Sequence, residues 1–383
     1  MRFMIVISVL CSVVTGCLST NTPSLKEDFS LDHAEMRLRS HSQAVQRLLN
    51  ESGLIYSDEL LEEYLDQMVV KLQPPEIPAV FSFKILIIRN PYLEAFALPG
   101  GIICIHTGLL ARLENEAQLA FLLAHEMTHC THKHALRTLW HIESKVADSR
   151  DTGEASGGKR PLTLFGITGS MDRIRRYTHD LETEADLVGL GLIMRAGYDP
   201  RAALRLLEYQ SIDLGEERVK DPRPPENNRE IRRRNKYCNN FIRAQYKKET
   251  PVIQNSNEFF KNLGKAILDN SLLDLRTGRF HSAERNLKKY LAIKPDDSRG
   301  HYLLGEVFRQ RREEGDQERG KAHYTKALSL DPSYADPHRA IGLIYYKSGN
   351  KALSRRHFES YLALSPQAVD IAYIRKYLTE CKD

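Results

Sequence analysis

Apolar residues recur at helical spacing along most of this chain and at strand spacing in one short stretch. Leu31 to Leu49 reads as an amphipathic helix. Ser57 to Leu72 reads as a second, with Ser57 as N-cap and Asp58 and Glu59 in its first turn. Pro74, Pro75 and Pro78 end it, and the apolar, β-branched run Phe81 to Ile88 predicts a strand. Glu94 to His106 reads as two strands around the Pro99-Gly100-Gly101 turn, after which Thr107 caps a short helix running from Gly108 to Leu113. From Asn115 the apolar positions Ala117, Leu119, Ala120, Phe121, Leu122, Leu123 and Met127 predict a helix buried on most sides. A further helix spans about Arg173 through Met194, and another Arg201 to Gln210. Asp148 to Lys159, rich in Gly, Ser and charge, is a loop between the two buried helices. Beyond Thr250-Pro251 the pattern becomes three helix-pair units ended by Pro295, Pro332 and Pro366, which lie 37 and 34 residues apart. Small residues recur in them as Gly278/Ala283, Gly305/Ala327 and Gly342/Ala352, with Tyr290, Tyr324 and Tyr361 as the bulky counterparts. A hydrophilic loop from Arg311 to Lys321 absorbs the three extra residues of the middle unit.

The 34-residue interval is the tetratricopeptide period, so residues 256–383 are expected to form an all-α superhelix with a concave, protein-binding face. The first residues belong to targeting rather than to the fold. Arg2 is a basic n-region and Phe3 to Val14 an apolar h-region too short to span a membrane comfortably. Val14-Thr15-Gly16-Cys17 resembles a bacterial lipobox, which makes 1–16 a signal peptide, Cys17 the lipid-modified residue and 17–29 a tether. Acyl chains on Cys17 would anchor the protein to a membrane, and Leu18, rather than an aspartate, favours the outer membrane.

Length and composition change this picture little. A chain of 383 residues holds two or three domains, and 42% hydrophobic residues is the composition of a globular protein. A formal charge of +5 is small for the size, and no nucleic-acid motif appears, so nucleic acid is not an expected partner. Cys104 and Cys130 read as small buried residues, and Cys238–Cys381 as an unsupported disulfide pairing.

The chemistry concentrates in two stretches. His125-Glu126-Met127-Thr128-His129 is an H-E-x-x-H pattern within the buried helix, and residues four apart share a helix face, so His125 and His129 can grip one metal ion. Glu126 points to the side of that pair, where it can act as general base. Leu181-Glu182-Thr183-Glu184-Ala185-Asp186 supplies Glu182 as a third ligand, a donor set that leaves the fourth position of a zinc ion open, as in catalytic sites. Asp186, one turn on, can accept a hydrogen bond from a ligating imidazole and fix its tautomer. His132, His134 and His141 follow the motif. His134, five residues past His129, points off the ligand face of a continuous helix, and all three read as structural or solvated.

Ala97-Leu98-Pro99-Gly100-Gly101, Thr107-Gly108-Leu109-Leu110, the H-E-x-x-H helix and the E-x-x-x-D helix, in this order, resemble the HtpX/BepA/Oma-type zinc metallopeptidases. The resemblance implies an α+β zincin-like domain over 30–250, mostly helical with a small sheet. It also implies one Zn2+ per chain on His125, His129 and Glu182, with Glu126 as base. With the repeats added, the chain is similar to the periplasmic BepA-like group, in which the edge formed by the two strands of Glu94 to His106 would receive an extended substrate as an added strand. Family members carry His-Pro followed by an arginine near the zinc. Here the histidine is replaced by Asp221, and Arg229 is the best match to the arginine, a pair assigned to gating or to the transition state. The basic run Arg229 to Lys236 otherwise reads as a solvated helix face. Resemblance further implies a periplasm-facing lipoprotein that hydrolyses misfolded or misassembled envelope proteins, with repeats that recruit substrate or outer-membrane assembly machinery. Its rival is an assembly factor or chaperone acting through its repeats with a gated zinc site.

Overall fold

The structure, a computed structural model, describes residues 31–74, 82–140, 171–216, 227–246, 252–254 and 257–381. The leader with Cys17, the tether, His141, the 148–159 stretch and Asp221 lie outside the described residues. Helices α1 (Leu31–Glu51) and α2 (Glu59–Leu72) come first. Asp58, rather than Ser57, caps α2, its carboxylate accepting from Leu61 N–H at 3.4 Å.

Three strands follow: β1 (Lys84–Ile88), β2 (Ala95–Leu98) and β3 (Ile102–His106). The first is shorter than the apolar run from Phe81 suggests. Sheet order is β1-β3-β2, with β3 central, parallel to β1 and antiparallel to β2, so among the described residues β2 keeps one free edge. Alternation along the strands divides two cores. Leu86, Ile88, Ile102 and Cys104 face Leu49 and the partly buried Val45 of α1, whereas Ile87, Ile103 and Ile105 join the main core.

That core is built on α4 (Glu116–Thr131), reached through the short α3 (Thr107–Arg112). Asn115 caps α4 by accepting from Gln118 N–H at 2.9 Å, and the helix is buried from Glu116 through Thr128. Helix α5 (Met171–Arg195) lies against it at Gly189, where a Cβ would stand 3.2 Å from His125 N. The missing side chain at Gly189 lets the two ligand-bearing helices come close there. Helices α6 (Arg201–Glu216) and α7 (Asn227–Gln245) complete this part, with α7 packed on α5.

Seven helices form the C-terminal array: α8 (Asn257–Arg276), α9 (Phe280–Ile293), α10 (Ser298–Arg311), α11 (Asp316–Leu330), α12 (Ala335–Lys347), α13 (Lys351–Leu364) and α14 (Ile371–Glu380). Much of the hydrophilic Arg311–Lys321 stretch is thus helix, and the turn between α10 and α11 is short. Tyr324 and Phe358, each eight residues before a unit-ending proline, fill the space left by Gly305 and Gly342. Phe358 takes the place the pattern assigns to Tyr361, whose hydroxyl instead donates to Asp370 Oδ1 at 2.7 Å. The chain is therefore an α+β, mostly helical unit with a small sheet, followed by a helical repeat array.

Array and sheet unit meet closely. Thr107 Oγ1 donates to Asn270 Oδ1 at 2.8 Å, Tyr56 OH to Asp269 Oδ2 at 3.2 Å, and the buried Lys289 ammonium to Leu113 O at 2.7 Å and to Ala111 O. Phe259, Leu263 and Ile267 of α8 belong to the same continuous core as Phe121 of α4. Cys104, Cys130, Cys238 and Cys381 are free. No helix among the described residues is long and apolar enough to cross a membrane.

Candidate metal centre

Four residues apart on α4, His125 and His129 present their Nε2 atoms 3.1 Å from each other. Glu182 of α5 completes the cluster: its Oε2 lies 3.4 Å from His125 Nε2 and its Oε1 3.4 Å from His129 Nε2. Asp186, one turn further along α5, stands 3.0 Å from His125 Nδ1 and is fully buried. The two motifs thus meet because α5 crosses α4 at Gly189.

A metal fits this donor set. Two imidazole nitrogens at van der Waals contact, both facing one carboxylate, form the separation that a tetrahedral ion with bonds of about 2 Å needs. The electrostatics also favour a cation. Burial pushes His125 down, but Asp186 and Glu182 overcome it and raise the imidazole to about 10, so the carboxylates attract positive charge to this point. Burial and the neighbouring His125 hold His129 near 3, a neutral imidazole with a free lone pair. Glu182, despite burial, is held far below the carboxylate range by His125 and by Arg234.

Arg234 of α7 is the residue that sequence reasoning missed. It is buried, its Nη1 lies 3.0 Å from Glu182 Oε2, and its other two nitrogens bond Asp186. In the basic run 229–236 nothing marks it beyond its neighbours: Arg232 and Arg233 are exposed, and only the rotation of α7 on α5 turns the third arginine inward. Arg229 is exposed at the start of α7.

Glu126 is buried beside the donors, and burial raises its carboxyl to about 7 against the pull of His125, Arg234 and a hydrogen bond from the Ala97 backbone. That hydrogen bond joins it to β2. The cleft, about 550 Å³, is lined by β2 on one side and by His125, Glu126, His129 and Glu182 on the other.

The helix does not continue past the motif. Thr131 ends α4 and Lys133 takes φ +52°, a left-handed conformation that costs a lysine about 1–2 kcal/mol. Its ammonium is held by Glu35 of α1 at 2.6 Å. A new helical stretch, 134–140, begins at once, and this reversal swings His134 back toward α4, so its Nδ1 lies 2.9 Å from His129 Nδ1. An unbroken helix would carry His134 away from His129, and the break at Lys133 brings it back against the Nδ1 side of that ring. Beside it, His132 Nδ1 lies 2.7 Å from Glu184 Oε1, and Arg137 bonds both oxygens of Glu184 at 3.0 and 2.9 Å.

A buried helix with two converging imidazoles, a carboxylate from a crossing helix and a buried glutamate beside a free strand edge define the metallopeptidase class. The chain belongs to Peptidase family M48, whose profile matches residues 57–274, and a TPR repeat profile matches residues 309–349. It is 29% identical over 191 residues to the beta-barrel assembly-enhancing protease of Escherichia coli (strain K12), covering 47% of this chain and 38% of the relative. It is 28% identical over 173 residues to the putative beta-barrel assembly-enhancing protease of Vibrio cholerae, covering 42% and 35% respectively. The mitochondrial metalloendopeptidase OMA1 of Schizosaccharomyces pombe is 31% identical over 179 residues, 41% of this chain and 50% of that protein. The chain thus spans between a third and a half of the length of these relatives.

Proposed function

We propose that this chain is a zinc metalloendopeptidase in which His125, His129 and Glu182 hold one zinc ion and Glu126 is the general base. The observation that carries the reading is the convergence of the three donors beside a buried Glu126. Zinc at such a donor set supplies Lewis acidity and acidifies water. The Glu126 carboxylate, near neutrality through burial, takes a proton from the attacking water and returns it to the leaving amine. The free edge of β2 aligns an extended peptide by main-chain hydrogen bonds, within reach of Glu126 through the Ala97 N–H side. Asp186 holds the ring of His125, and Arg234 balances the charge of Asp186 and Glu182.

A backbone-reading cleft suits unfolded chains, and two of the relatives are named for beta-barrel assembly. The reading therefore extends to misfolded or misassembled envelope proteins as substrates, and to repeats from 256–383 that recruit them or an assembly complex. Lipid on Cys17 would face the protein into the periplasm from the outer membrane. Asp221 and Arg229 are proposed for gating or for the transition state. The test is degradation of an unfolded model protein by the chain lacking residues 1–17, beside Glu126→Gln, with zinc quantified in both. Cleavage by the unsubstituted chain alone, at equal zinc, supports the peptidase. Full zinc without cleavage by either favours a gated chaperone instead.

A further inference from the structure

His134 is not one of the three donors that converge at the candidate metal position, yet it lines the cleft, its ring is buried and one of its nitrogens lies against a candidate ligand. Its Nδ1 lies 2.9 Å from His129 Nδ1, and the two rings meet edge to face with centroids 4.8 Å apart. Its Nε2 is buried, makes no hydrogen bond among the described residues, and has Glu184 Oε1 at 3.7 Å.

Two nitrogens at 2.9 Å share one proton, and a neutral imidazole carries only one N–H. His129 turns Nε2 to His125 and Glu182, so a metal there takes that lone pair and leaves the N–H on Nδ1. The N–H on Nδ1 must then donate to His134 Nδ1. His134 in turn carries its own N–H on Nε2, toward Glu184, the carboxylate that Arg137 and His132 hold in place. We propose that His134 is the positioning residue of His129: it fixes the ring and tautomer of that ligand and passes its hydrogen bonding to Glu184. The proposal rests on zinc at His125, His129 and Glu182.

A second consequence concerns His132, His134 and Glu184, whose donor atoms also lie within 4.8 Å of one another. A metal on His134 Nε2 would require the proton on its Nδ1, which would force His129 to accept at Nδ1 and to carry N–H at Nε2. One shared proton therefore makes the two clusters exclusive, and the chain holds one ion, on the 125/129/182 side.

The test is zinc binding by the zinc-free chain, measured as stoichiometry and as affinity against a competing chelator. His134→Ala and His134→Asn are compared with the unsubstituted chain, and folding is followed by circular dichroism. The Asn side-chain oxygen can accept where Nδ1 does. If the alanine variant does not fold, His134→Gln, with its amide nearer the Nε2 position, replaces it. Expected are one zinc per unsubstituted chain, affinity lower by about 10–100-fold for His134→Ala or His134→Gln, and recovery of most of that loss by His134→Asn. Equal affinity in the alanine and unsubstituted chains overturns the positioning role, as does an asparagine variant no better than alanine. Two zinc ions per unsubstituted chain overturn the shared-proton argument. An unsubstituted chain that binds no zinc removes the metallopeptidase reading itself, a result distinct from these.

Discussion

Arg234 grips Asp186 through two parallel hydrogen bonds, Nε to Oδ2 at 2.7 Å and Nη2 to Oδ1 at 2.8 Å, with both side chains almost fully buried. This pair stands behind His125 on the side away from the cleft, and it neutralises a carboxylate that would otherwise be a lone charge in the core.

Removing one partner leaves the other charge buried. Arg234→Met is expected to destabilise by about 3–5 kcal/mol. Asp186→Asn keeps the shape but weakens the pair, and Arg234→Lys cannot reproduce the fork. Denaturant unfolding of Arg234→Met, Asp186→Asn and the double variant that combines them measures the coupling. A double variant at the sum of the two losses would show that the pair does not act as a unit.

Gly189 sets the approach of α5 to α4. An added Cβ at 3.2 Å from His125 N and 3.4 Å from its Cα must push the helices apart by a few tenths of an ångström. Gly189→Ala should cost about 1–3 kcal/mol and weaken zinc binding, because Glu182 moves with α5 while the histidines stay on α4. Gly191→Ala, two residues on and so on the opposite side of α5 with open space around it, is the control and should leave zinc affinity unchanged.

Zinc removal should lower the thermal midpoint, and added zinc should restore it. At a free concentration of 100 times Kd the ion contributes about 2.7 kcal/mol. Scanning calorimetry with and without chelator checks this, and Glu126→Gln should keep the full shift, since Glu126 is not among the donors.

In the repeats, His338 and His357 face each other with Nδ1 atoms 3.1 Å apart, and Tyr345 stacks on His357. Burial, His338 and Arg356 lower His357 to about 4. An unfolded chain protonates this histidine near 6.5 and the folded chain only near 4, so the unfolded state binds more protons between those values. Its contribution to stability is complete above about pH 6.5 and is lost as pH falls toward 4. His357→Gln should flatten the pH dependence of the thermal midpoint in that window, and an unchanged slope would refute the assignment.

What the sequence made legible was local. The spacing of His125, Glu126 and His129, and of Glu182 and Asp186, fixes faces of single helices, and period and proline positions mark the repeat units. Contacts that depend on how elements turn against one another were not legible. Arg234 is one arginine of the four in the run 229–236, selected by the roll of α7. His134 requires the left-handed turn at Lys133, a conformation that no residue type in that stretch announces. Phe358 opposite Gly342 follows from counting back from Pro366, but an aromatic residue three places on, Tyr361, competes for the same reading. The order β1-β3-β2 depends on a crossover that leaves no mark in strand composition.

Thr107, Tyr56 and Lys289 bond across the meeting of sheet unit and array, and Phe259, Leu263 and Ile267 close one wall of the catalytic core. This places the seam for swapping parts inside the array. A chimera joined ahead of Asn257 would strip that wall and leave the carbonyls at the end of α3 without their ammonium. One joined in the Lys294–Asp297 turn keeps α8 and α9 with the cleft and exchanges only the outer units. The exchangeable part of the array accordingly begins at Ser298, and the inner helix pair stays with the sheet unit.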